Sequence, residues 1–133
     1  MTTPALTPGL TGELRLRVGP EHTAEAIGSG GVRVFSTPHM IGLMEGAAAT
    51  AVQPHLAPGE TTVGILVDVR HLAATPVGME VVARAVLEEV DGRRLVFRVE
   101  AHDETEKIGE GRHERFIVQL DRFLNRVEQK KAP

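Results

Sequence analysis

The fold turns on one stretch: Ser36-Thr37-Pro38-His39-Met40-Ile41-Gly42-Leu43-Met44-Glu45-Gly46-Ala47-Ala48-Ala49. Thr37 is expected as a helix N-cap, its side-chain oxygen accepting a hydrogen bond from an orphan backbone N–H. Pro38 then takes the first helical position, where its missing N–H costs nothing. The residues that follow are apolar or very small around almost the whole circumference, the pattern of a helix enclosed on most sides. Glu45 breaks that pattern. A carboxylate in so apolar a run has to be solvated, paired or used, because burying it alone is costly. The helix is expected to run to about His55, with Ala57-Pro58-Gly59 as the stop.

Outward from this helix the chain reads as strands. Glu13 to Val18 alternates charged and apolar residues. Gly28-Ser29-Gly30-Gly31 is a flexible loop, either a cover for a pocket mouth or a plain connector. Thr61 to His71 carries Val63, Ile65, Val67 and Val69 on one face, with His71 in the same parity. Met79 to Val90 follows the Ala73–Gly78 loop. Asp91-Gly92 is a hairpin signal of the type I′ kind. Arg93 to Asp103 sets Leu95, Phe97, Val99 and Ala101 on one face, and Lys107 to Gln119 is the last strand. Asp121 is expected to cap a polar C-terminal helix bearing Phe123, Leu124 and Val127. The leader, Met1 to Leu10, is expected to be loosely held.

One domain results: a strand, a long helix, four strands in a meander and a terminal helix, an α+β two-layer design. A single antiparallel sheet wrapped round one long helix is the hotdog arrangement. Gly42, Gly46, Ala47, Ala48, Ala49 and Ala51 suit it by letting strands approach the helix closely. Open sheet edges need protection, and pairing them across a two-fold axis predicts a homodimer, or a dimer of dimers.

Composition narrows the function. At 133 residues the chain can bury a real core. A net charge of −3 argues against nucleic acid as a partner. Cysteine is absent, which excludes a disulfide framework and thiolate chemistry and fits a reducing compartment. No apolar run reaches membrane-spanning length, and the expected location is cytoplasmic. With no Trp, no Tyr and 4 Phe, a substrate pocket would be largely aliphatic.

Three stretches, Ser36–Glu45 (STPHMIGLME), Asp68–Gly78 (DVRHLAATPVG) and Gly109–Arg115 (GEGRHER), resemble the fluoroacetyl-CoA thioesterase-like family of the hotdog superfamily. The resemblance spans the chain from the first strand to the C-terminal helix. It implies an acyl-CoA thioesterase whose catalytic set falls on Thr37, Glu45 and His71. It also places Gly64 near the acyl group. In that family phenylalanines ahead of the helix form a lid. This chain has none before Phe35, so the expected substrate is a small or medium acyl-CoA.

The residue types suit thioester hydrolysis. His71 would be the general base, and the acid toward the leaving thiol. Thr37 could attack or place a water, and Glu45 could orient His71 or attack the thioester itself. Backbone N–H groups of the first helical turn, for instance of His39 or Met40, could hold the oxyanion. Taken singly, each residue has a plainer reading: a cap, a solvated carboxylate, a structural histidine. His39 could line the pocket. Arg115, with Arg70, Arg93, Arg94 and Arg112, is a candidate contact for CoA phosphates, although pairing with Glu88, Glu89 or Glu114 is the plainer role for any one of them. No histidine spacing suggests a metal, and no cofactor is expected beyond the CoA carried by the substrate. The alternatives are a hydratase or dehydratase on the same fold, and a non-catalytic acyl-CoA or small-molecule binder.

Overall fold

The computed structural model describes residues 5–132. Strand β1 (Thr11–Arg17) and a 3-10 turn at Pro20–His22 precede helix α1 (Thr37–Val52). Strands β2 (Glu60–His71), β3 (Glu80–Asp91), β4 (Arg94–His102) and β5 (Lys107–Gln119) follow, then helix α2 (Leu120–Glu128). The strands form one antiparallel sheet in the order β1-β3-β4-β5-β2. It curls round α1, as the hotdog arrangement requires.

Helix α1 buries Met40, Met44, Ala47, Ala48, Ala51 and Val52. They meet alternate residues of the central strands: Val81, Ala83, Ala85 and Leu87 from β3, and Leu95, Phe97, Val99 and Ala101 from β4. Period-two burial on the strands supplies the apolar floor, and each fully buried large side chain contributes about 1.5–3 kcal/mol. Small residues set the spacing. At Gly12 a Cβ would collide with the Ala47 carbonyl, so β1 crosses α1 almost backbone to backbone.

The expected four-strand meander is corrected. Only β3, β4 and β5 are sequential neighbours, and β2 pairs with β5 at the far edge of the sheet. The Leu72–Met79 connection exceeds the roughly two to five residues of a hairpin loop, so it carries the chain across rather than back. It is anchored on the way. Thr75, fully buried, accepts from Phe35 N–H through its carbonyl at 2.8 Å and donates its hydroxyl to Asp103 Oδ2 at 2.8 Å.

The single inward face expected of β2 is also corrected. A bulge lies between Gly64 and Leu66 in the β2–β5 register. Before it, Thr62 is buried and Gly64 abuts α1; after it, Val69 packs on the core and His71 reaches α1. Ile65 and Val67 are exposed. Seven residues apart, Gly64 and His71 would face opposite sides of a regular strand. The extra residue at the bulge turns both toward the helix.

Smaller differences have local causes. The β3–β4 turn is Gly92-Arg93, with positive φ at Gly92 alone, which excludes type I′ and suits a type II′ turn. Gln119, not Asp121, caps α2 by accepting from Arg122 N–H at 2.8 Å. In the leader, residues 1–4 lie outside the described residues. Leu6 and Leu10 pack against the core, and Gly9 N–H donates to the Leu87 carbonyl at 2.7 Å.

Candidate active site

The cap of α1 is Ser36, not Thr37. Ser36 Oγ accepts from His39 N–H at 3.1 Å, and its carbonyl accepts from Met40 N–H at 3.0 Å. One residue decides the site here. With Ser36 satisfying the helix end, Thr37 stands at the first helical position with its hydroxyl uncommitted to the backbone. Thr37 Oγ1 lies 2.7 Å from Nδ1 of His71, the last residue of β2. The two side chains share a cleft of about 420 Å³, lined also by Ala24, Ser29, Gly30 and Val34. The glycine-rich loop therefore forms part of the cleft wall.

Burial lowers the pKa of His71 below the ordinary histidine value, and the Ala73 backbone opposes the shift. The net effect keeps the imidazole neutral near physiological pH, the form in which Nδ1 can accept a proton. The other ring nitrogen, Nε2, is buried with no hydrogen-bond partner among the described residues.

Glu45 sits elsewhere on the same helix. Eight positions of α-helix separate it from Thr37, about 12 Å. Its carboxylate lies against Gly64, where a Cβ would come within 2.9 Å of Oε2, and Arg115 Nη1 stands 3.9 Å from the same oxygen. Arg115 is buried. Its Nε donates to Thr62 Oγ1 at 2.8 Å, Nη2 to the Thr62 carbonyl at 2.9 Å, and Nη1 to His113 Nε2 at 3.1 Å. The chain thus holds two groups: Thr37 with His71 at one end of β2, and Glu45, Gly64 and Arg115 beyond the bulge.

Two expectations are redrawn, and for the arginines the plainer role holds in most cases. The N–H groups of His39 and Met40 are both committed to Ser36 and are not free oxyanion donors. The His39 ring, 2.7 Å from Ser36 Oγ, faces a second cleft with His22, Leu14, Leu16 and Leu43, away from Thr37. Most of the candidate CoA arginines are already paired: Arg94 and Arg112 with Glu114, Arg93 with Glu60, and Arg115 as above. Among the described residues Arg70 has no side-chain partner. The roles of Ser36 and Thr62 are not legible in the sequence, and His113 enters it only as part of the GEGRHER stretch.

A family profile for fluoroacetyl-CoA-specific thioesterases matches residues 18–121, covering all three residues of the proposed set. The chain belongs to that family. The fluoroacetyl-CoA thioesterase of Streptantibioticus cattleyicolor is 48% identical over 97 residues, which span 73% of this chain and 70% of the relative. A solved structure of a fluoroacetyl-CoA thioesterase superposes with a TM-score of 0.89 at 38% identity, covering 98% of this chain and 100% of the other. A thioesterase superfamily member from Thermus thermophilus superposes with a TM-score of 0.86 at 33% identity, covering 97% and 93%. The family and its structural neighbours bear out the hotdog fold, and family membership supports acyl-CoA thioester hydrolysis.

Proposed function

We propose that this fluoroacetyl-CoA thioesterase family member hydrolyses a small or medium acyl-CoA to the carboxylate and free CoA, using Thr37, Glu45 and His71 with His71 as general base. The 2.7 Å contact between Thr37 Oγ1 and His71 Nδ1 in an open cleft carries this reading. A hydroxyl beside a neutral imidazole is an activated nucleophile, or the holder of an activated water. His71 Nδ1 takes the proton as oxygen attacks the thioester carbon, and returns it to the sulfur as the C–S bond breaks. If the oxygen is a water the carboxylate forms at once. If it is Thr37 Oγ1, a water deprotonated by the same nitrogen then cleaves the acyl ester, the proton returning to Oγ1. The wall at Ser29 and Gly30 carries no aromatic side chain, and Phe35, which also lines the cleft, is buried in the core rather than laid over the mouth; this supports a substrate class broader than fluoroacetyl-CoA.

The working unit in this reading is a homodimer. Strand β2 is an open edge on which Ile65, Leu66 and Val67 are 51%, 40% and 44% exposed. Burying them on a second copy would protect both the edge and the apolar surface. Antiparallel pairing of two β2 edges about an axis between Val67 and Asp68 sets Gly64, and with it Glu45, opposite the partner's His71. Glu45 and the Thr37–His71 pair, apart within a protomer, then meet across the interface. Free-thiol release from a panel of short, branched and aryl acyl-CoAs tests the function. Release with at least one member is expected; none across the panel would refute it.

A further inference from the structure

His113 lies on β5, flanked by β4 and β2, and is 1% exposed. Its ring is bonded at both nitrogens. Nδ1 is 2.8 Å from the Leu66 carbonyl, and Nε2 is 3.1 Å from Arg115 Nη1. A carbonyl only accepts and a guanidinium only donates. Both partners therefore impose the same state, a neutral imidazole with its proton on Nδ1. Phe97 packs beside the ring, centroids 6.2 Å apart with planes inclined by 30°. The β2 bulge lies between Gly64 and Leu66, beside the carbonyl that receives the Nδ1 proton.

The same ring pins Arg115. Thr62 holds Nε and Nη2, and His113 holds Nη1 on the side toward Glu45. The Arg115–Glu45 separation of 3.9 Å is an ion pair but too long for a hydrogen bond. Glu45 makes no hydrogen bond among the described residues. Gly64 leaves the room: a Cβ there would stand 2.9 Å from Glu45 Oε2 and 3.3 Å from His113 Cε1.

We propose that His113 is a positioning residue for Glu45: fixed in its Nδ1–H form, it clamps Arg115 at a distance that steadies the carboxylate without tying it up in a direct hydrogen bond. This rests on Glu45 belonging to the reactive set. The charged groups facing the ring are Arg115, Glu45 and Glu114. Burial foremost, with the Arg115 charge, pushes the His113 pKa down, while the Leu66 bond and the two carboxylates oppose the shift. The ring consequently stays neutral and leaves Nε2 open to Arg115. Protonation would set two cations against each other and release the clamp.

The test compares His113→Gln, which keeps one donor and one acceptor, with His113→Leu and His113→Phe, which keep bulk and remove both. Each is made in the wild-type and Glu45→Gln backgrounds and assayed for thiol release from acetyl-CoA, with Tm alongside. Leu and Phe are expected to lose about 10- to 100-fold in kcat with KM little changed, and Gln to recover most of it. In the Glu45→Gln background they should lose almost nothing further, because a residue acting through Glu45 has nothing left to position. Equal losses in both backgrounds, an unchanged kcat, or failure of both apolar variants to fold would overturn the proposal. Imidazole ¹⁵N shifts of the wild-type protein at pH 7, assigned by difference from His113→Gln, are read apart from turnover. An Nε2–H form or an imidazolium overturns the clamp even if the enzyme proves inactive, whereas an Nδ1–H ring in a protein without thioesterase activity would locate the failure in the function rather than the clamp.

Discussion

Thr37 Oγ1 meets His71 Nδ1 at 2.7 Å because Ser36, one residue earlier, has taken the capping role that Thr37 would otherwise fill. Adjacent hydroxyls are divided between the helix cap and the cleft. Ser36 Oγ satisfies the His39 N–H, and the Thr37 hydroxyl turns into the cleft toward the end of β2.

That division predicts opposite phenotypes for two neighbouring alanine substitutions. Ser36→Ala should lose about 1 kcal/mol of stability, as for a lost N-cap, and retain most of its turnover. Thr37→Ala should keep its Tm within a few degrees and lose roughly 100-fold or more in kcat, the scale of a lost proton-transfer partner. Thermal melts beside thiol-release kinetics read both. A Thr37→Ala enzyme that is less stable yet equally fast would return Thr37 to a structural role.

The pH dependence has a defined sign. Burial, offset in part by neighbouring groups, leaves the pKa values of His71 and His113 below the ordinary 6.5. A histidine with a depressed folded pKa binds fewer protons folded than unfolded, so acid favours unfolding. Stability is then complete above about 6.5 and falls as the pH drops below it. Tm measured from pH 8 to 5 should decline from near that point, and His113→Gln should flatten part of the decline. The acid limb of kcat/KM should lie below 6.5 if His71 is the base. A limb above that value would indicate another base.

Gly64 and Gly12 are both tight, but they should fail differently. At Gly64 the nearest atom to an added Cβ is the mobile end of Glu45, 2.9 Å away. Gly64→Ala should therefore fold and lose at least about tenfold in kcat as the carboxylate is displaced. At Gly12 the Cβ would strike α1 backbone at Ala47 and Ala51, which cannot yield. Gly12→Ala should be strongly destabilised or insoluble. Circular dichroism and turnover of the two variants separate these outcomes.

The edge-pairing reading predicts that Val67→Lys, a charge at the end of the exposed apolar segment of β2 and beside the pairing axis, yields a monomer by light scattering. That monomer should retain helix and sheet content and lose turnover, because Glu45 and His71 no longer meet across the interface. An active monomer would refute a shared site.

Much of the architecture was legible in the sequence because it follows from periodicity. The apolar run after Ser36, alternation in Arg93 to Asp103 and the Asp91-Gly92 signal each report local burial or turn chemistry; α1 and β4 sit where those patterns put them, and the hairpin turn falls one residue later, at Gly92-Arg93. The resemblance carried by STPHMIGLME, HLAATPVG and GEGRHER pointed to the family that the profile matches. Whether Ser36 or Thr37 caps, by contrast, is a choice between adjacent hydroxyls that local preference does not make. The division shows only in the fold, where the hydroxyl left free of the cap, Thr37 Oγ1, meets His71, 34 positions away in the chain.

What the sequence alone determined is therefore the set of elements and the chemical groups they carry. Only the tertiary structure decided which groups meet. The bulge near Ile65 turns Gly64 and His71 to the same side, and the crossing connection sends β2 to the sheet edge beside β5. With β2 there, His113 and Arg115 come within reach of Leu66 and Thr62. The physical reason is that hydrophobic periodicity records burial, which is local and non-directional. Strand register and hydrogen-bond partnership depend on the three-dimensional closure of the sheet around α1.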